Sequence, residues 1–235
     1  MELVGKWYND TLYKCSKIIW HQYKESIKSG IRGFVFYGTP GNGKTTLAKK
    51  IVEDLPGEKP LENNMIFKDC ADLAHYRYGE TEKEIRKVFE MGRNKANKPV
   101  IYIFDDADGL FLTRDFGPKL DAWYIGQLNV LFHELDKMDT SNEFVILTTN
   151  RIDLLDKALI DRLYSIEFPN PPKSVLGLAT IELALNTLNM KKSIVNKIKN
   201  VVQEDEKVKT FRDMERIVYE MYIESIESSE ELNEN

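Results

Sequence analysis

The sequence predicts an α/β fold: a mostly parallel sheet flanked by helices, followed by a small all-α region. Three observations predict it. Short apolar runs alternate along the chain with longer amphipathic stretches, the order that strand–helix–strand units need. The apolar runs are continuous rather than alternating, as in strands covered on both faces. After "FPNPPK" the strand signals stop and only helical periodicity remains.

Each element has its own local reason. Leu12, Cys15, Ile18, Ile19 and Tyr23 recur at helical spacing, which predicts a first helix capped by Asp10, running to about Ser29 and ended by Gly30. "GFVFYG" is a short buried strand that runs into a glycine-rich turn. "TTLAKKIVEDL" is a helix that starts inside that turn and stops at Pro56-Gly57. "NMIFKDC" is a second strand. "TEKEIRKVFEMGRNK" is a second amphipathic helix, with Ile85, Val88 and Phe89 on one face. "VIYIF" is a third strand, "AWYIGQLNVLFHELDKM" a third helix, "EFVILTT" a fourth strand and "SIEF" a short last one. Beyond about Pro172, Ile194, Val195, Ile198, Val201 and Val202 form one apolar stripe. Phe211, Met214, Ile217, Val218 and Met221 form another, with Thr210 as its cap. The tail "SSEELNEN" is acidic and polar and is expected to fray.

Bulk properties exclude several classes. The 235 residues suit one moderate domain with a small appendage, and the net charge of -5 offers no strong positive field to attract nucleic-acid phosphates. Cys15 and Cys70 fit no metal spacing and read as reduced thiols; His21, His75 and His133 are scattered and suggest no zinc site. The opening "MELVGKWYNDTLYK" carries charges where a signal peptide needs an apolar core, and no apolar run approaches a membrane span. A soluble, cytoplasmic protein is expected.

"GTPGNGKT", Gly38 to Thr45, fits the phosphate-binding pattern G-x-x-x-x-G-K-[ST] and lies between a strand and a helix, as its mechanism requires. The glycines Gly38, Gly41 and Gly43 let the backbone through Thr39, Pro40 and Asn42 curl so that the N–H groups of its non-proline residues face an anion. The following helix, opening on Lys44, Thr45 and Thr46, adds its positive end. Lys44 can reach the outer phosphates, and the Thr45 hydroxyl can hold Mg²⁺. "VIYIFDDADGL" then ends a buried strand on two acids. Asp105 is the metal-side acid, acting through coordinated water, and Asp106 orients or activates the attacking water.

"GTPGNGKTT", "IFDDADGL", "VILTTNR" and "LDKALIDR…IEFPNPP" occur in the order seen in AAA ATPases, and the chain resembles that family from about Gly30 to Pro172. "YGETEKEIRKVFEMGR" is similar to the segment those proteins carry between their two nucleotide motifs. The resemblance implies a P-loop NTPase-type fold with a helical lid. It divides the chain into an N-terminal helical segment (1–29), an α/β nucleotide-binding domain (30–171) and a lid (172–235). It implies ATP rather than GTP, with Mg²⁺. It places Asn150 at the sensor 1 position, where an amide contacts the γ-phosphate or the attacking water. It places Arg162 where the family has trans-acting arginine fingers, which implies a homo-oligomer, commonly a hexameric ring.

Four departures from the family pattern stand out. The second acid is Asp106 where Glu is usual, one methylene shorter, and a misplacement of about 1 Å can cost on the order of a hundredfold in rate. The finger region keeps Arg162 but lacks an R-P-G-R-like run. The loop that grips substrate in threading AAA proteins reads "YRYG" here, with Arg77 at the aromatic position and Tyr76 and Tyr78 beside it. Such a loop can grip a peptide, stack on single-stranded nucleic acid, or be plain surface. Arg212, early in the last helix, stands where many relatives outside the AAA group proper carry a sensor 2 arginine.

Three functions fit these residues. One is an ATP-driven remodeller of proteins that contacts its substrate through Tyr76, Arg77 and Tyr78, with no large N-terminal adaptor expected. Another is a replication or helicase-loading ATPase acting on DNA. The third is a slowly hydrolysing, ATP-gated binding module, which Asp106 motivates. The first is the expectation.

Overall fold

The structure, a computed structural model, describes residues 4–55, 64–75, 77, 79–95, 98–113 and 122–231. In chain order the elements are α1 (Lys6–Lys24), β1 (Gly33–Gly38), α2 (Lys44–Glu53), β2 (Met65–Asp69), α3 (Cys70–Leu73), α4 (Glu80–Arg93), β3 (Val100–Asp105), α5 (Ala122–Lys137), β4 (Glu143–Thr149), α6 (Lys157–Ile160), β5 (Tyr164–Phe168), α7 (Lys173–Ile181), α8 (Lys192–Glu204) and α9 (Phe211–Glu231). They divide into two compact units. One holds Thr11–Gly38 and Lys44–Phe168; the other holds the chain up to Asp10, Thr39–Gly43 and the chain from Pro169 onward.

The first unit is built on a five-stranded sheet in the order β2-β3-β4-β1-β5, with every neighbouring pair parallel. Val35 and Phe104 both stand opposite Leu147 from its two sides. The continuous apolar runs are explained by burial: Val100–Phe104 of β3 and Phe144–Leu147 of β4 are at most 1% exposed. Each large apolar side chain so buried contributes on the order of 1.5–3 kcal/mol. Helix α4 turns Ile85, Val88 and Phe89 into the same core. Because the strands are parallel, their carboxyl ends share one edge of the sheet. β3, β4 and β1 are neighbours there, so Asp105, Thr149 and Gly38 end side by side.

Helix α1 differs from its sequence reading at both ends. It begins at Lys6, so Asp10 lies inside it, and it ends at Lys24. The stop is Ser26 in the left-handed region (φ 53°), with its N–H bonded to the Tyr23 carbonyl and that of Ile27 to the Gln22 carbonyl. Gly30 has another role: a Cβ there would lie 2.3 Å from Oε1 of Gln22, whose side chain bonds the Ile31 backbone. The stop expected at Pro56-Gly57 lies outside the described residues.

The second unit is helical. Helix α7 runs into a π-helical turn over Glu182–Thr187. The Lys173 ammonium donates to the carbonyls of Val202 (3.2 Å), Asp205 and Val208 (2.7 Å), so it ties the last turn of α8 to the segment that follows it. The cap of α9 is reciprocal: Thr210 Oγ1 accepts from the Asp213 N–H (3.2 Å), and Asp213 Oδ2 accepts from the Thr210 N–H (2.9 Å). The α8 stripe is narrower than its sequence suggests. Val195, Ile198 and Val202 are buried, whereas Val201, about 100° round the helix from Val202, faces out. Residues of the first and glycine-rich segments complete this unit. The Tyr8 ring meets Phe211 edge-on at 5.3 Å, and its hydroxyl donates to the Asn42 carbonyl at 3.2 Å.

Candidate functional site

The carboxyl ends of β1, β3 and β4 and the start of α2 bring together the side chains of five residues singled out from sequence: Lys44, Thr45, Asp105, Asp106 and Asn150. The Lys44 ammonium, 6% exposed, donates to the Gly38 carbonyl (2.9 Å) and to Asn150 Oδ1 (2.8 Å). Asn150 Nδ2 in turn donates to Asp106 Oδ1 (3.2 Å). Lys44, Asn150 and Asp106 are thus one chain of hydrogen bonds. The Thr45 hydroxyl donates to Asp105 Oδ1 at 2.6 Å.

Two threonines at the end of β4 complete the cluster, and the sequence reading did not assign them. Thr148 donates its hydroxyl hydrogen to Asp105 Oδ1 and accepts the Asp106 N–H at 3.2 Å, so one side chain holds both acids. Thr149 donates to Asp108 Oδ1, which also accepts the Asn150 N–H at 3.3 Å. The available signal was the pair of hydroxyls in "TTN" beside the third acid of "DDAD".

Asp106 has an unusual backbone, with φ 49° and ψ 52° in the left-handed region. A non-glycine residue held there stores strain of about 1–3 kcal/mol, a feature that clusters at functional sites. Its carboxyl is pushed above the usual aspartate range. Partial burial is the main cause, the charges of Asp105, Asp108 and Asp69 add to it, and Lys44 offsets part. Cys70 is also pushed up, chiefly by burial and then by the same acids, and Cys15 is raised to about 12 by burial, so both are inert thiols.

In the glycine-rich segment Gly38, Gly41 and Gly43 have φ 138°, 82° and 80°. Only glycine adopts such angles cheaply. Asn42 is fully buried, its amide donating to the Pro169 carbonyl (3.2 Å) and Asn170 Oδ1 (2.9 Å). A Cβ on Gly41 would lie 2.6 Å from the Arg212 Cβ and 3.4 Å from its backbone N, so the start of α9 runs directly past this glycine. Thr39, Pro40 and Thr46 are exposed.

Arg162 stands apart from the cluster. Its guanidinium donates to Asp136 (3.4 Å) and to the Ala158 carbonyl (2.9 Å), and it covers the Phe132 ring at 4.5 Å. The Arg77 side chain is 67% exposed and pairs with Glu80 at 3.5 Å. Tyr76 and Tyr78 lie outside the described residues.

The donor set fits a hard cation. Thr45 and Asp105 offer a hydroxyl and a carboxylate oxygen in direct contact, and among the described residues no group of three or more His, Cys, Asp or Glu could hold a metal. Few protein ligands and several water or phosphate oxygens are what magnesium sites use.

Comparison with known proteins identifies the family. The family model described as "ATPase family associated with various cellular activities (AAA)" matches residues 34–170. The chain belongs to the AAA ATPase family. It is 36% identical over 135 residues to an AAA ATPase forming ring-shaped complexes from Corynebacterium jeikeium, covering 55% of this chain and 25% of that protein. It is 33% identical over 184 residues to a proteasome-associated ATPase of Catenulispora acidiphila (70% of this chain, 30% of that one). A 26S proteasome regulatory subunit 8 homolog of Naegleria fowleri is 33% identical over 171 residues (69% and 39%). The chain therefore spans about a quarter to two fifths of the length of these relatives. Among solved structures, the HORMA:CdnC:Trip13 complex of E. coli MS115-1 contains a chain that matches with a TM-score of 0.65 at 19% identity. The match covers 88% of this chain and 77% of that one, a likeness of fold. Among the described residues no helix is long and apolar enough to cross a membrane.

Proposed function

We propose that this AAA chain binds ATP with Mg²⁺ at Gly38–Thr45 and hydrolyses it to ADP and phosphate, and that a ring-shaped homo-oligomer uses the cycle to remodel a protein. The observation that carries this reading is the hydrogen-bonded chain Lys44–Asn150–Asp106 beside the Thr45–Asp105 pair. The glycine-rich backbone and Lys44 bind the phosphates, with Lys44 exchanging its present oxygen partners for phosphate oxygens. Thr45 and Asp105 would hold Mg²⁺, which supplies charge neutralisation at the terminal phosphates. Asn150 fixes the attacking water against Asp106, whose carboxylate takes the water's proton as the new bond to the γ-phosphorus forms and the bond to the bridging oxygen breaks, that oxygen leaving on ADP. Arg212, whose backbone passes Gly41, would answer to the bound nucleotide as a sensor 2 arginine. Arg162 serves a neighbouring subunit once it leaves Asp136. The relatives named for ring-shaped complexes and for proteasome association support a ring and a protein substrate. A hexamer in the cytoplasm, contacting its substrate through Tyr76, Arg77 and Tyr78, completes the proposal.

The shorter acid and its left-handed backbone favour slow turnover within the same reading. The test is phosphate release against protein concentration, with unfolded protein or single-stranded DNA added. Specific activity should rise with concentration as subunits complete one another, and unfolded protein should stimulate it. Arg162→Ala and Lys44→Ala proteins, each inactive alone, should regain activity when mixed. Background phosphate release at assembling concentrations refutes the reading, and stimulation by DNA alone transfers it to nucleic-acid work.

A further inference from the structure

The geometry points to Asp108 as a positioning residue: its carboxylate holds the end of β4 so that Asn150 faces Lys44 and Asp106. The inference rests on the ATPase reading above and deepens it. Asp108 sits two residues past Asp106, inside the 3₁₀ turn Ala107–Gly109. Its Oδ1 accepts from the Thr149 hydroxyl and from the Asn150 N–H at 3.3 Å. The Thr149 oxygen, wholly buried, accepts the Arg151 N–H at 2.9 Å. One carboxylate oxygen thereby organises three consecutive residues, 149 to 151.

Those residues need an outside anchor. The ladder of β4 with β3 runs as far as Leu147, and that with β1 as far as Thr149. Asn150 lies past the end of the strand and its N–H goes to Asp108, so losing that acceptor at a part-buried turn would let the turn drift. The Asn150 amide meanwhile makes two contacts in opposite senses, accepting from Lys44 at 2.8 Å and donating to Asp106 at 3.2 Å. Both depend on the position of its Cα, which Asp108 sets. A shift of about 1 Å at such a group costs on the order of a hundredfold in rate. Asp108 acts through Asn150 and bonds to the strand end, so it is expected to affect turnover far more than nucleotide affinity.

The test uses the full chain with Asp108→Ala, Asp108→Asn and Asn150→Ala, alone and combined. Asp108→Ala should lower kcat about 10- to 100-fold and leave KM for ATP within about threefold. Asp108→Asn, which keeps an acceptor oxygen at the same place, should recover most of the loss and guards against misfolding of the alanine variant. Adding Asp108→Ala to Asn150→Ala should cost nothing further, because the residue acts through the one already removed. A second measurement does not depend on turnover: hydrogen exchange at the Asn150 backbone amide, in nucleotide-free protein, should accelerate at least about tenfold in Asp108→Ala while Val145–Leu147 exchange unchanged. An Asn150 amide equally protected without Asp108, or a loss of kcat that is the same in the Asn150→Ala background, overturns the inference. Wild-type protein with no phosphate release defeats the ATPase reading instead, and the exchange measurement then decides the role of Asp108 by itself.

Discussion

Replacing Thr148 by Val tests how the two aspartates are held in place. The substitution keeps the shape and removes one hydroxyl from a residue that is 1% exposed. That hydroxyl donates to the Asp105 carboxylate, a charge-assisted bond worth about 1.5–3 kcal/mol. It also accepts the Asp106 N–H at 3.2 Å, worth about 0.5–1.5 kcal/mol. The buried methyl that valine adds returns about 1 kcal/mol. The balance is a loss of about 2 kcal/mol, which in a chain of this size lowers Tm by about 4–8 °C. Turnover should fall about 10- to 100-fold, because Asp105 keeps only its Thr45 bond and the Asp106 backbone loses its tether. Thr148→Ser is the control. It keeps both hydrogen bonds and loses one methyl, about 1 kcal/mol, so its turnover should stay within about threefold of wild type. Thermal unfolding and phosphate release on the three proteins settle the matter. A valine variant with wild-type Tm and the turnover of the serine variant would refute the claim that Thr148 positions the acids.

Asp106→Asn should abolish hydrolysis and raise Tm slightly. The folded-state pKa of Asp106 is raised, so its stabilising contribution is present at low pH and lost as pH climbs through that value. At neutral pH the ionised group costs stability, and Asn, which also tolerates a positive φ, removes the cost. The gain should be about 1–2 °C near pH 7.5 and shrink toward pH 4. For the same reason the acid limb of kcat/KM should lie above the usual aspartate range. Asp106→Glu, one methylene longer and able to reach the water without backbone movement, should turn over faster. Gly41→Ala must accept φ 82° and a Cβ 2.6 Å from that of Arg212, and should weaken ATP binding at least about tenfold in a fluorescent-nucleotide titration. Lys173→Met removes a charged donor from the carbonyls of Val202, Asp205 and Val208 and should destabilise the helical unit by about 2–4 kcal/mol, read as faster hydrogen exchange across α8.

Much of the fold was legible because local chemistry and burial agree. "GFVFYG" and "EFVILTT" are strands in the structure over the residues quoted, and the parallel arrangement follows from apolar runs that need cover on both faces. The end of α1 was not legible, since Ser26 in a left-handed stop looks like any polar residue in one dimension. Nor was the outward turn of Val201, which depends on what packs against α8.

By itself the sequence determined the parts that are contiguous: the glycine-rich phosphate loop, the paired acids at a strand end, and the asparagine closing another strand. Contiguous motifs can be read because their geometry is set within a few residues. Tertiary structure alone decided which groups meet. It joined Lys44 to Asn150 across 106 positions and Asp108 to Thr149 across 41, because strands far apart in the chain lie about 4.8 Å apart in a sheet. Hydrogen bonds act over that distance and carry no mark in the order of residues.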